Sequence, residues 1–263
     1  MPATSQKRCA WAHRVRRVAL AVVLATLGAS ASTSADGHLV RHGPRTVPRV
    51  ALTFDADMTA TMREQVLAGE QTHFDARILD ELARTDTHAT IFLTGLWAET
   101  YPDVVRRMAA DPRIELGNHS YDHSAFREPC YGLPAVTTDQ QRRRQVVRGA
   151  RTIASVSGVT PLYFRFPGGC SEASDIQLVR SLGEVPVQWD TVSGDPFQSS
   201  AEVIIDHVLE RVRNGSIVVM HLNGAPNAPR TYRALRTIIP ELRARGYELV
   251  TLGELLAPDA PSE

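Results

Sequence analysis

Val50-Ala51-Leu52-Thr53-Phe54-Asp55-Ala56-Asp57 opens on an apolar run and closes on two carboxylates. Val50 to Phe54 reads as a buried strand, and acids that end such a strand belong at the edge of a sheet, where ligands collect. Asp55 and Asp57 stand two residues apart on extended chain and so project the same way. A second apolar run leads into His119-Ser120-Tyr121-Asp122-His123, whose histidines at i and i+4 would share one face of a helical turn. Two imidazoles and one carboxylate suit Zn²⁺ or a similar borderline divalent ion, and three protein ligands leave the open position that a catalytic metal needs. Asp57, His119 and His123 are the candidate ligands, with Asp55 beside them as a candidate base. Paired aspartates and an HxxxH spacing each also arise by chance, so their weight depends on the rest of the chain.

Working outward, strands read at Thr90 to Leu93, Ile114 to Leu116, Leu162 to Phe166, Val185 to Trp189, Ile217 to Met220 and Tyr247 to Val250. Helices read at Asp75 to Arg84, Pro102 to Ala110, Asp139 to Val156, Ala201 to Val212 and Thr231 to Arg245, with Pro240 expected to kink or restart the last. On the long helix, Val146, Val147, Ala150, Ile153 and Ala154 are expected inward and Arg142, Arg143 and Arg144 in solvent. Repeated strand-helix units with mostly apolar strands predict an α/β fold on a parallel sheet. Arg165-Phe166-Pro167-Gly168-Gly169 and Val219-Met220-His221 each follow a strand, so four polar clusters share the C-terminal edge. The alternation alone leaves a closed barrel and an open doubly wound sheet both standing.

In this order the clusters resemble the motifs of the polysaccharide deacetylases of carbohydrate esterase family four, which share a homology domain with nodulation-type chitooligosaccharide deacetylases. The resemblance runs over roughly residues 48 to 257 and includes all five motifs. It implies a distorted, incomplete (β/α) barrel and a hydrolase that deacetylates an N-acetylated polysaccharide using Zn²⁺ or another divalent ion such as Co²⁺ or Ni²⁺. It also implies Asp55 as base, Arg165 as the arginine that orients it, His221 as general acid, and the Gly168 N–H as oxyanion donor. The aspartate that tunes the acid falls within Gln188-Trp189-Asp190-Thr191-Val192-Ser193-Gly194-Asp195-Pro196; Asp195 is the first choice and Asp190 the second. Trp189 is either core or the floor of a sugar subsite.

Three positions depart from the family pattern. The usual adjacent aspartates are replaced by Asp55-Ala56-Asp57, a spacing shared with relatives that act on small amides or cyclic imides. Gly168 stands where a tyrosine is common, removing a side-chain wall and widening the cleft. Pro196 replaces a tryptophan. The chemistry asked of the residues is hydrolysis of an acetamide, which needs a nucleophile at neutral pH, stabilisation of an oxyanion and a proton for the departing amine. A divalent ion meets the first need by lowering the pKa of water to about 7.

The chain has 263 residues and formal net charge zero, which gives no electrostatic footprint for a nucleic-acid partner. Lys7, Arg8, Arg14, Arg16 and Arg17 precede the apolar run Val18 to Leu27 and then Ala29-Ser30-Ala31, the pattern of a secretory signal over residues 1–35. The run is shorter than the roughly 20 residues that span a bilayer, so no stable anchor is expected after cleavage. Arg16-Arg17 leaves twin-arginine export open. A linker over 36–47, a catalytic domain over 48–257 and a tail over 258–263 complete the division. Loss of the leader removes Cys9 and leaves Cys130 and Cys170, either two thiols or one disulfide in an oxidising compartment. The leading expectation is a secreted or cell-envelope enzyme acting on peptidoglycan or chitin-type chains. Its competitors are an O-deacetylase of acetylated xylan, a small-molecule amidase and a noncatalytic glycan-binding module, the last disfavoured by the acid-base set Asp55, Arg165 and His221. No feature sets an oligomeric state.

Overall fold

The computed structural model describes residues 39–258, together with Met1. The leader expected at 1–35 lies outside the described residues apart from Met1, as does the tail beyond Pro258. The strands of the described residues, eight in number, are β1 (Arg49–Ala56), β2 (Ala89–Leu93), β3 (Ile114–Asn118), β4 (Tyr163–Phe164), β5 (Val185–Pro186), β6 (Thr191–Val192), β7 (Ser216–His221) and β8 (Glu248–Leu249). Among the described residues nine α-helices accompany them: α1 (Ala60–Leu67), α2 (Ala76–Arg84), α3 (Gly95–Thr100), α4 (Pro102–Ala110), α5 (Asp139–Ser157), α6 (Ala173–Ser181), α7 (Ala201–Arg211), α8 (Thr231–Ala244) and α9 (Leu252–Leu256). Among the described residues no helix is long and apolar enough to cross a membrane.

Every strand pairing is parallel, in the order β5-β4-β3-β2-β1-β7-β6, with β8 joining the start of β1. The two ends of that order, β5 and β6, are joined only by residues 187–190. Five extended Cα steps reach about 18 Å, whereas seven flat strands would place the outer two about 29 Å apart. The sheet therefore has to curl. The result is an α/β distorted barrel left incomplete, the fold class expected.

Alternation along β1 builds both layers of the core. Val50, Leu52, Phe54 and Ala56 pack outward among the helices with Ile78, Trp97, Ile204 and Ile238, while Ala51 packs inward with Phe92, Val187 and Ile217. Asp55 has the inward parity of Ala51 and lies in register with Phe92 of β2 and His221 of β7. The period-2 strand thus delivers a carboxylate to the mouth of the barrel.

Two expectations need correction. The stretch 39–47 is not a free linker: Val40 exchanges backbone hydrogen bonds with Pro186 and Gln188, Gly43 N–H donates to Gly215, and Arg45 pairs with Asp190 at 2.6 Å. Arg142 is buried, not solvated; its guanidinium donates to the Phe126 carbonyl and to Asp139, so α5 turns Arg142, Gln145 and Gly149 inward with Val146 and Ile153. α8 is continuous through Pro240, so of the two outcomes expected there a restart does not occur. Pro240 and Arg236 are exposed, so the missing N–H falls on the solvent side of the helix.

Candidate active site

Four strand ends and the loops behind them converge on one cleft. Asp57 follows β1, and its backbone is gripped by Asn223, which accepts from the Asp57 N–H at 3.0 Å and donates to its carbonyl at 2.8 Å. His119 follows β3. Its Nδ1 meets the Arg165 carbonyl at 2.9 Å, which fixes the ring with Nε2 toward the cleft. From Nε2 to Asp57 Oδ1 is 3.4 Å for His119 and 3.3 Å for His123.

His119 to His123 is a loop, not the helical turn expected from its spacing. Ser120 and His123 hold positive φ of 72° and 62°, a region costly for residues with a Cβ. The loop is held by long-range contacts: Ser120 N–H donates to Asn118 Oδ1, Gln145 Oε1 accepts from the Tyr121 and Asp122 N–H groups, and His123 N–H donates to Ser120 Oγ. The two imidazoles therefore meet by a folded-back chain.

One ligand atom from each of Asp57, His119 and His123 falls within 4.8 Å of the others, and all three residues are buried. Asp57 Oδ1 is buried with no hydrogen-bond partner, a costly state for a carboxylate oxygen unless a cation faces it. Although burial raises the Asp57 carboxyl, the neighbouring histidines outweigh it and hold the group below the ordinary carboxylate range. Burial pulls His123 down to about 4, leaving a neutral imidazole, the form that ligates metal. The three side chains fit a divalent cation.

Beside them Arg165, fully buried, donates to Asp55 Oδ1 at 2.7 Å while the other oxygen, Oδ2, lies 3.7 Å from His119 Nε2. The Arg165 guanidinium sits 4.0 Å over Phe92 and 5.5 Å from Trp189. Gly117 makes room for that stack, since a Cβ there would lie 2.5 Å from the Phe92 ring. Across the cleft Asp195 Oδ1 is 2.8 Å from His221 Nδ1, and Asp195 Oδ2 accepts from the His221 N–H and the Thr231 hydroxyl. Burial alone would lower His221, but the Asp195 carboxylate prevails and pushes it up to about 10. Asp190 faces away, paired with Arg45 and Ser216.

A polysaccharide deacetylase family model matches residues 42–187, more than half of the chain. The chain belongs to that family. A peptidoglycan-N-acetylglucosamine deacetylase of Bacillus cereus is 29% identical over 210 residues, covering 80% of this chain and 69% of the relative. The crystal structure of the Bc1960 peptidoglycan N-acetylglucosamine deacetylase superposes with TM-score 0.70 at 26% identity, covering 83% of this chain and 92% of that one. A family 4 acetyl xylan esterase from Clostridium thermocellum, solved with a cobalt ion, gives TM-score 0.62 at 30% identity over 78% and 89% of the two chains. This protein is thus a deacetylase-type hydrolase of carbohydrate esterase family four.

In this deacetylase Gly168 lines the cleft, but its missing side chain does not widen it. A Cβ at Gly168 would lie 2.6 Å from Cys130 Sγ and 3.2 Å from Tyr131, because Cys130 and Cys170 are joined in a disulfide that seats the Tyr131 loop there. Trp189 packs beside the inner core cluster and also lines the cleft. Sequence reasoning missed Asn223, Gln145, Thr231, Tyr131 and Phe197. Asn223 carried a weak signal, a polar residue two positions beyond His221; the others are joined to the site only by tertiary contacts.

Proposed function

We propose that the protein is a metal-dependent, extracytoplasmic deacetylase that removes N-acetyl groups from a cell-wall or chitin-type polysaccharide, with Zn²⁺ as the resident ion. The observation that carries this reading is the placement of Asp55 between Arg165 and the Asp57, His119 and His123 set, opposite the His221–Asp195 pair. The relatives named for peptidoglycan N-acetylglucosamine support the substrate class, and the leader pattern supports the location.

Asp57, His119 and His123 would hold the cation, which when bound supplies Lewis acidity to acidify water and polarise an acetyl carbonyl. Asp55, oriented by Arg165, takes the proton from the attacking water. The N–H of Gly168 donates to the oxyanion that forms on the acetyl carbon. His221 keeps its Nδ1 proton on Asp195 and gives its Nε2 proton to the departing nitrogen as the C–N bond breaks, leaving acetate and a free amine. Trp189 lines the sugar side of the cleft.

The 30% identity to an acetyl xylan esterase favours a second reading, O-deacetylation, on the same residues. Acetate release from peptidoglycan, N-acetylated chitin oligomers and acetylated xylan separates the two. Release from the first two supports N-deacetylation, and release from xylan alone transfers the assignment to the ester.

A further inference from the structure

The rim of the cleft carries a feature that the proposed chemistry does not use. Tyr131 and Phe197 are 73% and 70% exposed, the only aromatic side chains among the large apolar groups exposed on the described residues. Both line the cavity that contains Asp55, Asp57 and His221. Their ring centroids lie 5.7 Å apart with planes inclined by 31°, so the two rings form one adjacent aromatic pair at the cleft.

Each ring is fixed from behind by buried structure. Phe197 ends the short 3₁₀ turn Asp195–Phe197, whose first residue is the buried partner of His221. Tyr131 follows Cys130, which is 3% exposed and bridged to Cys170. Its loop is closed below by the Ala125–Ala135 bridge and by a Leu133 N–H bond to the Cys130 carbonyl. The loop rests on bare backbone at Gly168, where φ is 59° and a Cβ would strike the disulfide sulfur. Covalent, conformational and steric constraints thus all place one ring that packs little of its own surface.

The cavity measures about 280 Å³, near the lower end of the roughly 300–1,000 Å³ of small-molecule sites. It has room for one sugar residue with its acetyl group. The next residue of a chain must lie at the rim. A pyranose ring is polar around its edge and presents C–H groups on its faces, which the electron-rich face of an aromatic ring attracts.

We propose that Tyr131 and Phe197 form an aromatic clasp for the sugar next to the one deacetylated, with the Cys130–Cys170 bridge as the positioning element for its Tyr131 side. This rests on the reading of the cleft as a polysaccharide deacetylase site and names the part of the chain that the rim grips.

The test is calorimetric binding of tetra-N-acetylchitotetraose to the Zn²⁺-loaded protein. Tyr131→Ala and Phe197→Ala are each expected to weaken binding about tenfold or more, while Tyr131→Phe stays within about threefold of wild type. The paired Cys130→Ser and Cys170→Ser change is expected to match Tyr131→Ala in affinity while keeping its metal. Alanine variants that bind as tightly as wild type, or a wild-type protein that does not bind the tetrasaccharide, would overturn the clasp. Full affinity in the serine pair would remove the disulfide from it. Binding with the expected variant pattern but without acetate release would leave the clasp standing and refute the deacetylase reading.

Discussion

Arg165 donates from Nη1 to Asp55 Oδ1 at 2.7 Å, and both side chains are buried. Burial lowers the arginine pKa and the Asp55 carboxylate opposes that shift, so each charge is tolerated because of the other. Arg165→Met leaves a carboxylate buried without its partner. The expected cost is about 3–5 kcal/mol in urea unfolding, and an Arg165→Met protein as stable as wild type would show that the pair is not what holds Asp55.

Asp55→Asn keeps nearly the same shape and leaves Asp57, His119 and His123 in place. Turnover should fall by roughly 10²-fold or more while metal content stays near wild type. Acetate release at the wild-type rate would remove Asp55 from the role of base.

With His221 as the proposed acid, the Asp195–His221 pair is expected to set the alkaline side of the pH–rate profile. The acid must be protonated to act, so activity falls as pH rises through the His221 pKa, which Asp195 holds high. Asp195→Asn should move that limb to lower pH, and Asp190→Asn should leave it in place because Asp190 faces Arg45. A shift in the Asp190 variant alone would reverse the assignment.

Glu184 accepts from Asn118, the residue before His119, and burial pushes its carboxyl from 4.5 up to about 8. Its folded pKa lies above the unfolded one, so the unfolded chain binds fewer protons between about 4.5 and 8 and stability falls as pH rises through that window. Glu184→Gln should flatten this loss and raise the melting temperature at pH 8 relative to wild type. Equal slopes of melting temperature against pH in the two proteins would contradict it.

The sequence made the barrel legible where burial is local. β1, β2, β7, α4 and α7 fall within a residue or two of their expected positions because uniform apolar runs and helical periodicity are properties of neighbouring residues. Arg142 was misjudged because α5 turns a mixed stripe inward, and polarity alone does not reveal a buried guanidinium supplied with backbone carbonyls. The HxxxH spacing brought two histidines together for a reason other than helix geometry: Asn118, Ser120 and Gln145 fold the loop back. Asp195 could be set ahead of Asp190 only through the resemblance, and it is the 2.8 Å contact with His221 that separates them in space. Tyr131 gave no signal, since its place depends on a disulfide partner 39 positions away in Cys170.

The central claim is that Asp57, His119 and His123 hold the ion on which hydrolysis depends, and metal titration with coupled assay tests it most directly. The purified protein is stripped with a chelator, retitrated with Zn²⁺, and followed for bound metal and for acetate released from N-acetylated peptidoglycan, alongside His119→Ala and His123→Ala. Binding of about one ion per chain, with activity rising in step and both lost in the variants, is the result expected. Full acetate release by the stripped protein, or undiminished metal binding in the histidine variants, would contradict the account.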